Sequence, residues 1–441
     1  MSRLVSRRSS LLGRMALLGP GIVYVLQVQG TGDIIANAAT GASYGYTLIW
    51  ALAVTLIFRF VWVNTSAKYV LVTEESLLTG YARLGNWMVW IVLISIIVLR
   101  HFYSSYQILM MGSAADLLFH LPTEWSVSIW SLLFTLLGFA LMFWGGYRTI
   151  EIFCKILIVL MGSSLILVAV ISRPDITQIA KGMFVPTIPD SQGVYGVFFL
   201  LMALVGTEAG SMGNLTYSYY LREKGWSDIS YLKQQRFDLG FSMVCLFVMG
   251  VLLQTAAAAV VHPMGVEIED ADDLVRIFSE TLGATGWIVF ALGLWGATFS
   301  TFVGANIGFV LIFTDICRKF VPGLKRSPKS KNKNNQPTNK DPVYQWTISF
   351  CALSPLYIIF TNMSPIWLVL IINALVVILI PVLAVPLLFI TNSGHLMGKH
   401  RNGWISNTIL VILILVAVHF TYTNGIDLLS SLARGFLKKT G

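Results

Sequence analysis

Long apolar segments recur along nearly the whole chain and alternate with short polar connections. An α-helix needs about 18 or more apolar residues to cross a hydrocarbon core of about 30 Å. Backbone groups in lipid must satisfy their own hydrogen bonds, so these segments are predicted to be helices. The pattern predicts an all-α integral membrane protein with about eleven spans, at residues 15–43, 46–72, 87–113, 125–145, 149–172, 194–220, 239–262, 283–316, 343–361, 364–391 and 403–424.

The connections between the spans differ in charge, and this difference predicts their orientation. Basic residues gather in the N-terminal tail and in the connections at 221–238, 317–342 and 392–402. The connection at 114–124 contains no lysine or arginine, and the one at 263–282 is mainly acidic. Basic loops tend to stay in the cytoplasm. We therefore predict a multi-pass protein of the cell (plasma) membrane with a cytoplasmic N-terminus.

The composition agrees with a membrane protein and argues against several other classes. Of the 441 residues, 56% are hydrophobic and 12% are charged, about half the charged fraction of a typical soluble domain. The net charge of +9 lies in the loops, so we expect no nucleic-acid partner. No HExxH, nucleophile-elbow or P-loop motif occurs, so neither an enzyme nor a bound cofactor is expected. The four cysteines form no CxxC pair and are expected to be free thiols.

Two spans contain a glycine-rich interruption with a carboxylate. The first holds Gly30-Thr31-Gly32-Asp33, and the sixth holds Gly206-Thr207-Glu208 followed by Ser211-Met212-Gly213-Asn214. Glycine in a helix interior costs about 1 kcal/mol relative to alanine, and a carboxylate at membrane depth costs a few kcal/mol. The interruptions are five spans apart, which fits an inverted repeat of five plus five helices whose first helices unwind near the midplane.

This arrangement predicts one central site and a division of the chain into repeats. The predicted substrate-binding residues are Gly30, Thr31, Asp33, Gly206, Thr207, Glu208, Ser211, Met212 and Asn214. Packing through glycine, with the acids paired to bases, is the alternative. The predicted segments are a cytoplasmic tail at 1–14, a first repeat at 15–172, a second repeat at 194–391 with a disordered basic loop at 317–342, an additional helix at 403–424 and a C-terminal tail at 425–441.

Charged residues of the second and third spans complete the candidate set. Arg100 and His101 lie near the middle of the third span. An intramembrane arginine needs a carboxylate partner, and Asp33 and Glu208 are the predicted partners. We predict that these four residues carry the coupling proton, because histidine titrates near neutral pH. A hydrogen-bonded core histidine is the alternative for His101. Arg59 of the second span is expected to snorkel towards the cytoplasm.

The first two spans carry a recognisable set of short motifs. These are Gly19-Pro20-Gly21, Gly30-Thr31-Gly32-Asp33, Ala42-Ser43-Tyr44-Gly45-Tyr46, Leu48-Ile49-Trp50 and Ser66-Ala67-Lys68. They resemble the start of the NRAMP (natural resistance-associated macrophage protein) family of proton-coupled divalent-metal transporters. The likeness is specific over about residues 17–85 and weaker to about residue 420. It implies the inverted-repeat fold of the amino-acid–polyamine–cation superfamily, which is LeuT-like with discontinuous first and sixth helices, and transport by alternating access.

The chain departs from the family at the ligands that the resemblance implies. The family's Asp-Pro-Gly-Asn falls on Gly30-Thr31-Gly32-Asp33, so its ligand aspartate is Gly30 and its ligand asparagine is Asp33. Its Met-Pro-His-Asn falls on Ser211-Met212-Gly213-Asn214, so the sulfur ligand is lost or displaced by one residue. No acid lies between Glu75 and Asp116, where the family has acids on its third helix.

Two substrates stay open on this reasoning. With the sulfur ligand gone, Asp33 and Glu208 would suit a harder cation such as Mg²⁺, Ca²⁺ or Mn²⁺. An arginine facing the site would instead fit a small organic substrate, amino-acid-like or bearing a carboxylate, in a protein that has lost metal transport. The predicted partners are therefore a divalent metal cation or a small organic solute, a coupling proton and the lipid bilayer.

Overall fold

A computed structural model describes residues 21, 24–25, 28–144, 147–191, 193–211, 213–283, 286–321, 323–324, 340–361 and 363–439. Within these ranges the chain is helical and contains no β-strand. The principal helices are α1 (Thr31–Tyr44), α2 (Ile49–Thr73), α3 (Leu77–Ala82), α4 (Asn86–Leu118), α5 (Ser126–Trp144), α6 (Tyr147–Ile171), α7 (Ile176–Phe184), α8 (Val197–Glu208), α9 (Gly213–Glu223), α10 (Leu232–Val260), α11 (Ala271–Leu282), α12 (Gly286–Phe320), α13 (Pro342–Leu353), α14 (Pro365–Val376), α15 (Ile380–Asn392) and α16 (Trp404–Lys439).

The helices coincide with the predicted spans. Nine helical segments of the described chain are long and apolar enough to cross a membrane. The remaining two predicted spans correspond to α1, with the helical residues that precede it, and to α6. The prediction of an all-α membrane fold with about eleven spans is confirmed. The short helices α7 and α11 lie in connections, and α11 begins with a capping box in which Asp270 and Asp273 bond each other's backbone N–H groups.

Both predicted interruptions are present as breaks in the helices. The first span stops being helical at Gln29 and Gly30, and α1 begins at Thr31. The sixth span is divided into α8, which ends at Glu208, and α9, which begins at Gly213. Backbone groups at such ends lose their intrahelical partners and become available to side chains or ligands. Discontinuous first and sixth helices are therefore confirmed.

Packing of the long helices brings the two breaks into the protein interior. The most extensive contacts join α4 to α5 and α12, α12 to α6, α8 to α14, and α10 to α1. Helix α14 also contacts α4 and α1. It therefore lies between the helices that carry the two interruptions and the helix that carries Arg100.

The structure differs from the prediction at the C-terminus. Residues 425–441 were expected to form a tail, but α16 continues as a helix to Lys439. Leu428 and Leu432 are buried four residues apart on one side of it. Side chains at that spacing lie on one face of a helix, so an amphipathic stripe continues the helix beyond the apolar segment that ends near residue 424.

The predicted disordered loop at 317–342 lies mostly outside the described residues, but its two ends are described. Helix α12 continues to Phe320, so residues 317–320 are helical rather than disordered. At the other end, Asp341 caps α13 through the backbone N–H of Val343. The carboxylate of Asp341 also forms an ion pair with Arg318 at 2.5 Å, which joins the two ends of the loop.

Candidate functional site

The two helix breaks are in contact through residues of the two glycine-containing motifs. The hydroxyl of Thr207, one residue before the end of α8, donates to Oδ1 of Asp33 in the first turn of α1 at 3.1 Å. Asp33 is 2% exposed. Its other oxygen, Oδ2, is buried and accepts no hydrogen bond from a described donor. The first-span and sixth-span motifs thus form one cluster, in which one oxygen of Asp33 has no hydrogen-bond donor among the described residues.

Two glycines permit this close approach. A Cβ at Gly32 would lie 2.7 Å from Oγ1 of Thr207 and 2.9 Å from Nδ2 of Asn373. A Cβ at Gly206 would overlap the backbone carbonyl oxygen of Asn373. Any larger residue at either position would push the helices apart, because packed interiors hold few spare volumes. These glycines therefore set α1, α8 and α14 against one another around Asn373.

Glu208 is held by an arginine other than the predicted one. Nη1 of Arg59 lies 2.5 Å from Oε2 of Glu208, and both side chains are buried. Nη2 of Arg59 also donates to the carbonyl of Thr207 at 3.3 Å, and the guanidinium lies 5.7 Å from the ring centre of Tyr24. The expectation that Arg59 snorkels is wrong, because its side chain faces the interior of the bundle. There it offsets both the carboxylate and the negative end of α8.

Arg100 has neutral partners only. Its guanidinium donates to Oγ of Ser104 at 3.0 and 3.1 Å and to Oε1 of Gln107. No described carboxylate lies within ion-pair distance of it. The predicted pairing of Arg100 with Asp33 or Glu208 is wrong. Arg59 from α2 pairs with Glu208 instead, and Arg100 bonds residues of its own helix, α4.

A small cavity lies beside the breaks. Arg100 is the only charged residue among the described residues that line it. The cavity lies beside the first turn of α9 and runs along α12 from Thr301 to Ile312. The lining residues are Val28, Gly30, Gly32, Arg100, Tyr103, Tyr106, Gln107, Thr207, Ser211, Gly213, Thr216, Thr301, Ala305, Phe309, Ile312 and Asn373.

Several predicted site residues are placed elsewhere or have their polar groups occupied. Thr31 shares a hydrogen bond with Thr298 at 3.0 Å. Nδ2 of Asn214 donates to the carbonyl of Ala209 at 2.6 Å and so bridges the break between α8 and α9. The phenol of Tyr24 donates to Oδ1 of the same asparagine at 2.7 Å. Both ends of Asn214 therefore stabilise the break rather than face a substrate.

His101 does not line the cavity. Its Nδ1 lies 3.0 Å from Oγ of Ser354 and its Nε2 lies 3.2 Å from the phenol oxygen of Tyr357. The imidazole also stacks on the ring of Tyr357. These contacts match the alternative of a hydrogen-bonded histidine between helices. Met212, the predicted displaced sulfur ligand, lies outside the described residues.

The structure adds cavity residues that the sequence reasoning did not select. Tyr103, Tyr106 and Gln107 line the cavity with Arg100, and their spacing of three or four residues is a helical-face signal that was present in the sequence. Asn373 and Thr301 line it too. Both polar atoms of the Asn373 side chain and Oγ1 of Thr301 are buried without a described partner.

The oxygen atoms near the breaks limit what the site can hold. Among the described residues, no group of three or more histidine, cysteine, aspartate or glutamate side chains could hold a metal ion. The available donors are one carboxylate oxygen with amide and hydroxyl oxygens. Such a set suits a hard, partly hydrated cation and not a soft one.

Comparisons with known proteins agree with this architecture. A family profile described as "Natural resistance-associated macrophage protein-like" matches residues 21–426. The chain is 24% identical over 424 residues to the "Divalent metal cation transporter MntH" of Pectobacterium carotovorum, covering 93% of this chain and 94% of that protein. A mutant of the Eremococcus coleocola manganese transporter has a similar structure, with a TM-score of 0.74 at 17% identity, covering 97% of this chain and 92% of that one.

The fold likeness extends beyond these proteins. MHP1, described as a nucleobase-cation-symport-1 family transporter, superposes with a TM-score of 0.58 at 14% identity, covering 92% of this chain and 91% of that one. At that identity the likeness concerns the fold alone, which is the LeuT-like fold expected from the paired interruptions. The family profile spans nearly the whole chain, so this protein belongs to the natural resistance-associated macrophage protein-like family.

Proposed function

We propose that this protein is a proton-coupled secondary transporter that moves a divalent metal cation across the cell membrane by alternating access. The observation that carries the proposal is the state of Asp33. Its carboxylate is buried at the break of the first span, and Oδ2 accepts no hydrogen bond from the described residues. A buried carboxylate oxygen is costly to leave without a partner, and a cation would supply one.

Neutral oxygens around Asp33 would complete the coordination. Thr207 donates to the other oxygen of Asp33, and Gly32 lies between Thr207 and Asn373. The amide oxygen of Asn373 and the carbonyls near Gly30 are candidates for further ligands, because both residues line the adjacent cavity. Glu208, predicted as a second metal ligand, is paired with Arg59. It would therefore contribute to the electrostatic field at the site rather than bind the cation directly. With one free carboxylate, the cation would keep several waters, as Mg²⁺ and Mn²⁺ sites often do.

Proton coupling follows from competition at the same carboxylate. A carboxylate must be deprotonated to bind a metal, so Asp33 would hold a proton only when no cation is bound. Entry of a dication would displace that proton. The proposal assigns this role to Asp33 and not to His101, since the imidazole is engaged with Ser354 and Tyr357.

The packing on the two sides of the breaks supports alternating access. The cavity runs along α12 as far as Ile312, in the half of that helix nearer the basic connection at 317–342. On the other side, the phenol of Tyr44 donates to the carbonyl of Tyr195, and the ring of His262 contacts the carbonyl of Ala42. This packing fits a protein closed on the acidic side and open towards the basic loops. Spans one, two, six and seven would then rock against three, four, eight and nine.

Names of related proteins support the choice of cargo. The matched relatives are described as a divalent metal cation transporter and a manganese transporter. Both are transporters, which favours transport over an enzymatic role for this chain as well.

The proposal is tested by calorimetric binding of Mn²⁺, Mg²⁺ and Ca²⁺ to the purified wild type and to Asp33→Ala. We expect saturable binding of at least one dication to the wild type and its loss in the variant. Asp427→Ala, which removes an exposed carboxylate on α16, serves as the control and should bind normally. Absence of dication binding by folded wild type, or equal binding by Asp33→Ala, contradicts the proposal.

A further inference from the structure

The second buried arginine is not explained by a cation site. Arg100 is 4% exposed, lies about 20 Å along α4 and lines the cavity next to the breaks. A charged side chain inside the membrane is costly and usually has a charged partner or a functional ligand. Among the described residues, Glu208 is the charged partner of Arg59, whereas Arg100 has no charged partner.

The hydrogen bonds of Arg100 orient its guanidinium without neutralising it. Nε and Nη2 donate to Ser104, and Nη2 also donates to Gln107. Nη1 makes no hydrogen bond with a described residue. Both acceptors lie on α4 itself, four and seven residues further on, so the group is held against its own helix. This leaves a positive charge in the cavity wall, with Nη1 as the group that has no described partner.

The surroundings of Arg100 suit a small anion with an organic body. Tyr103 and Tyr106 line the same wall, and Phe309 lines the cavity as well. Ligand pockets commonly combine apolar and aromatic walls with a few fixed polar groups. Arginine forms strong, charge-assisted hydrogen bonds with carboxylates, and Nη1 is the group of Arg100 that remains for such a bond. Neutral oxygens of Thr207 and Ser211 face the cavity as well.

We propose that Arg100, with Gln107, Tyr103 and Tyr106, forms a subsite that binds a carboxylate group carried by the transported solute. This deepens the proposed function and rests on it in one respect, namely that the cavity is the transport site. The carboxylate has two possible sources. It belongs either to an organic ligand that enters together with the metal or to a free organic acid or amino acid that is itself the cargo.

The test is calorimetric binding of citrate, succinate and L-alanine to the purified full-length protein, each with and without Mn²⁺. We expect saturable binding of at least one of them to the wild type. Arg100→Gln should weaken this binding at least tenfold, and Arg100→Lys should retain part of it. Arg83→Gln, at an exposed arginine paired with Glu75, should bind as the wild type does.

A second variant covers the case in which Arg100→Gln does not fold. Gln107→Glu puts a carboxylate in place of the amide that accepts a hydrogen bond from Nη2 of Arg100. The new side chain would pair with Arg100 and occupy the subsite from within, so the protein should fold at least as well as the wild type and lose carboxylate binding. Normal carboxylate binding by folded Gln107→Glu would overturn the proposal.

The outcomes separate this inference from the metal proposal. Carboxylate binding that requires Mn²⁺ supports both. Arg100-dependent binding without any dication binding supports the subsite and overturns metal transport. Asp33-dependent Mn²⁺ binding with no carboxylate binding overturns the subsite and leaves metal transport standing. Failure of both ligands to bind folded protein overturns both.

Discussion

Arg59 and Arg100 are both buried in apolar helices, yet their partners give them different roles. Arg59 forms an ion pair with Glu208, whereas Arg100 is held by serine and glutamine. Breaking a buried pair by removing one charge is costly, and removing both charges is much less so. Neutral substitution should therefore be more destabilising at Arg59, where it leaves an unpaired carboxylate, than at Arg100.

Arg59→Met should destabilise the protein by about 3–5 kcal/mol, because it leaves the Glu208 carboxylate buried without its counter-ion. The double variant Arg59→Met/Glu208→Gln should recover most of that loss. Thermal unfolding in detergent measures both. Wild-type stability in the single variant would show that the pair does not hold the end of α8.

Asp33→Asn should abolish metal uptake into proteoliposomes while the protein still folds, because the amide keeps the side-chain shape and removes the charge. The exposed Asp427→Asn should transport at the wild-type rate. Size-exclusion profiles confirm folding of each variant. Uptake by Asp33→Asn at the wild-type rate would exclude this carboxylate as the cation ligand.

At the scale of the helices, the tight contact between α8 and α14 depends on one missing side chain. Gly206→Ala should reduce stability and uptake, because the added Cβ overlaps the carbonyl oxygen of Asn373. Gly240→Ala in α10 is the matched control, since no atom lies within 4 Å of its Cβ position. That substitution should stabilise the helix by up to about 1 kcal/mol. Equal thermal stability of the two variants would refute the contact.

The helices and their breaks could be predicted because each is written in a local pattern. An apolar segment requires a helix in lipid, and Gly30–Asp33 or Gly206–Glu208 disturbs that helix visibly. The partner of Glu208 could not be predicted, because Arg59 and Arg100 both lie in apolar spans and only packing decides which of them reaches Glu208. Asn373 carried no local signal beyond its polarity. The helical end of α16 was missed because hydropathy falls near residue 424 while the amphipathic stripe continues through Leu432.

At the scale of the whole molecule, the asymmetry of loop charge makes the orientation testable. The test uses a variant without native cysteines. Lys224→Cys in that variant, between α9 and α10, should react with a membrane-impermeant maleimide only after the cells are opened. A cysteine at Glu124, between α4 and α5, should react in intact cells, because the acidic side is predicted to face outwards. The reverse pattern of labelling would invert the assigned topology.

Three parts of the molecule meet around Asp238 and Asn214. Asp238 in α10 accepts from the backbone N–H of Gly21 at 2.6 Å and from the phenol of Tyr217 in α9 at 3.2 Å, and Tyr24 bonds Asn214 at the start of α9. The half-helix before the first break is thus fastened to the half-helix after the second. If transport proceeds by the proposed alternating access, these two half-helices should therefore move together as one rigid unit.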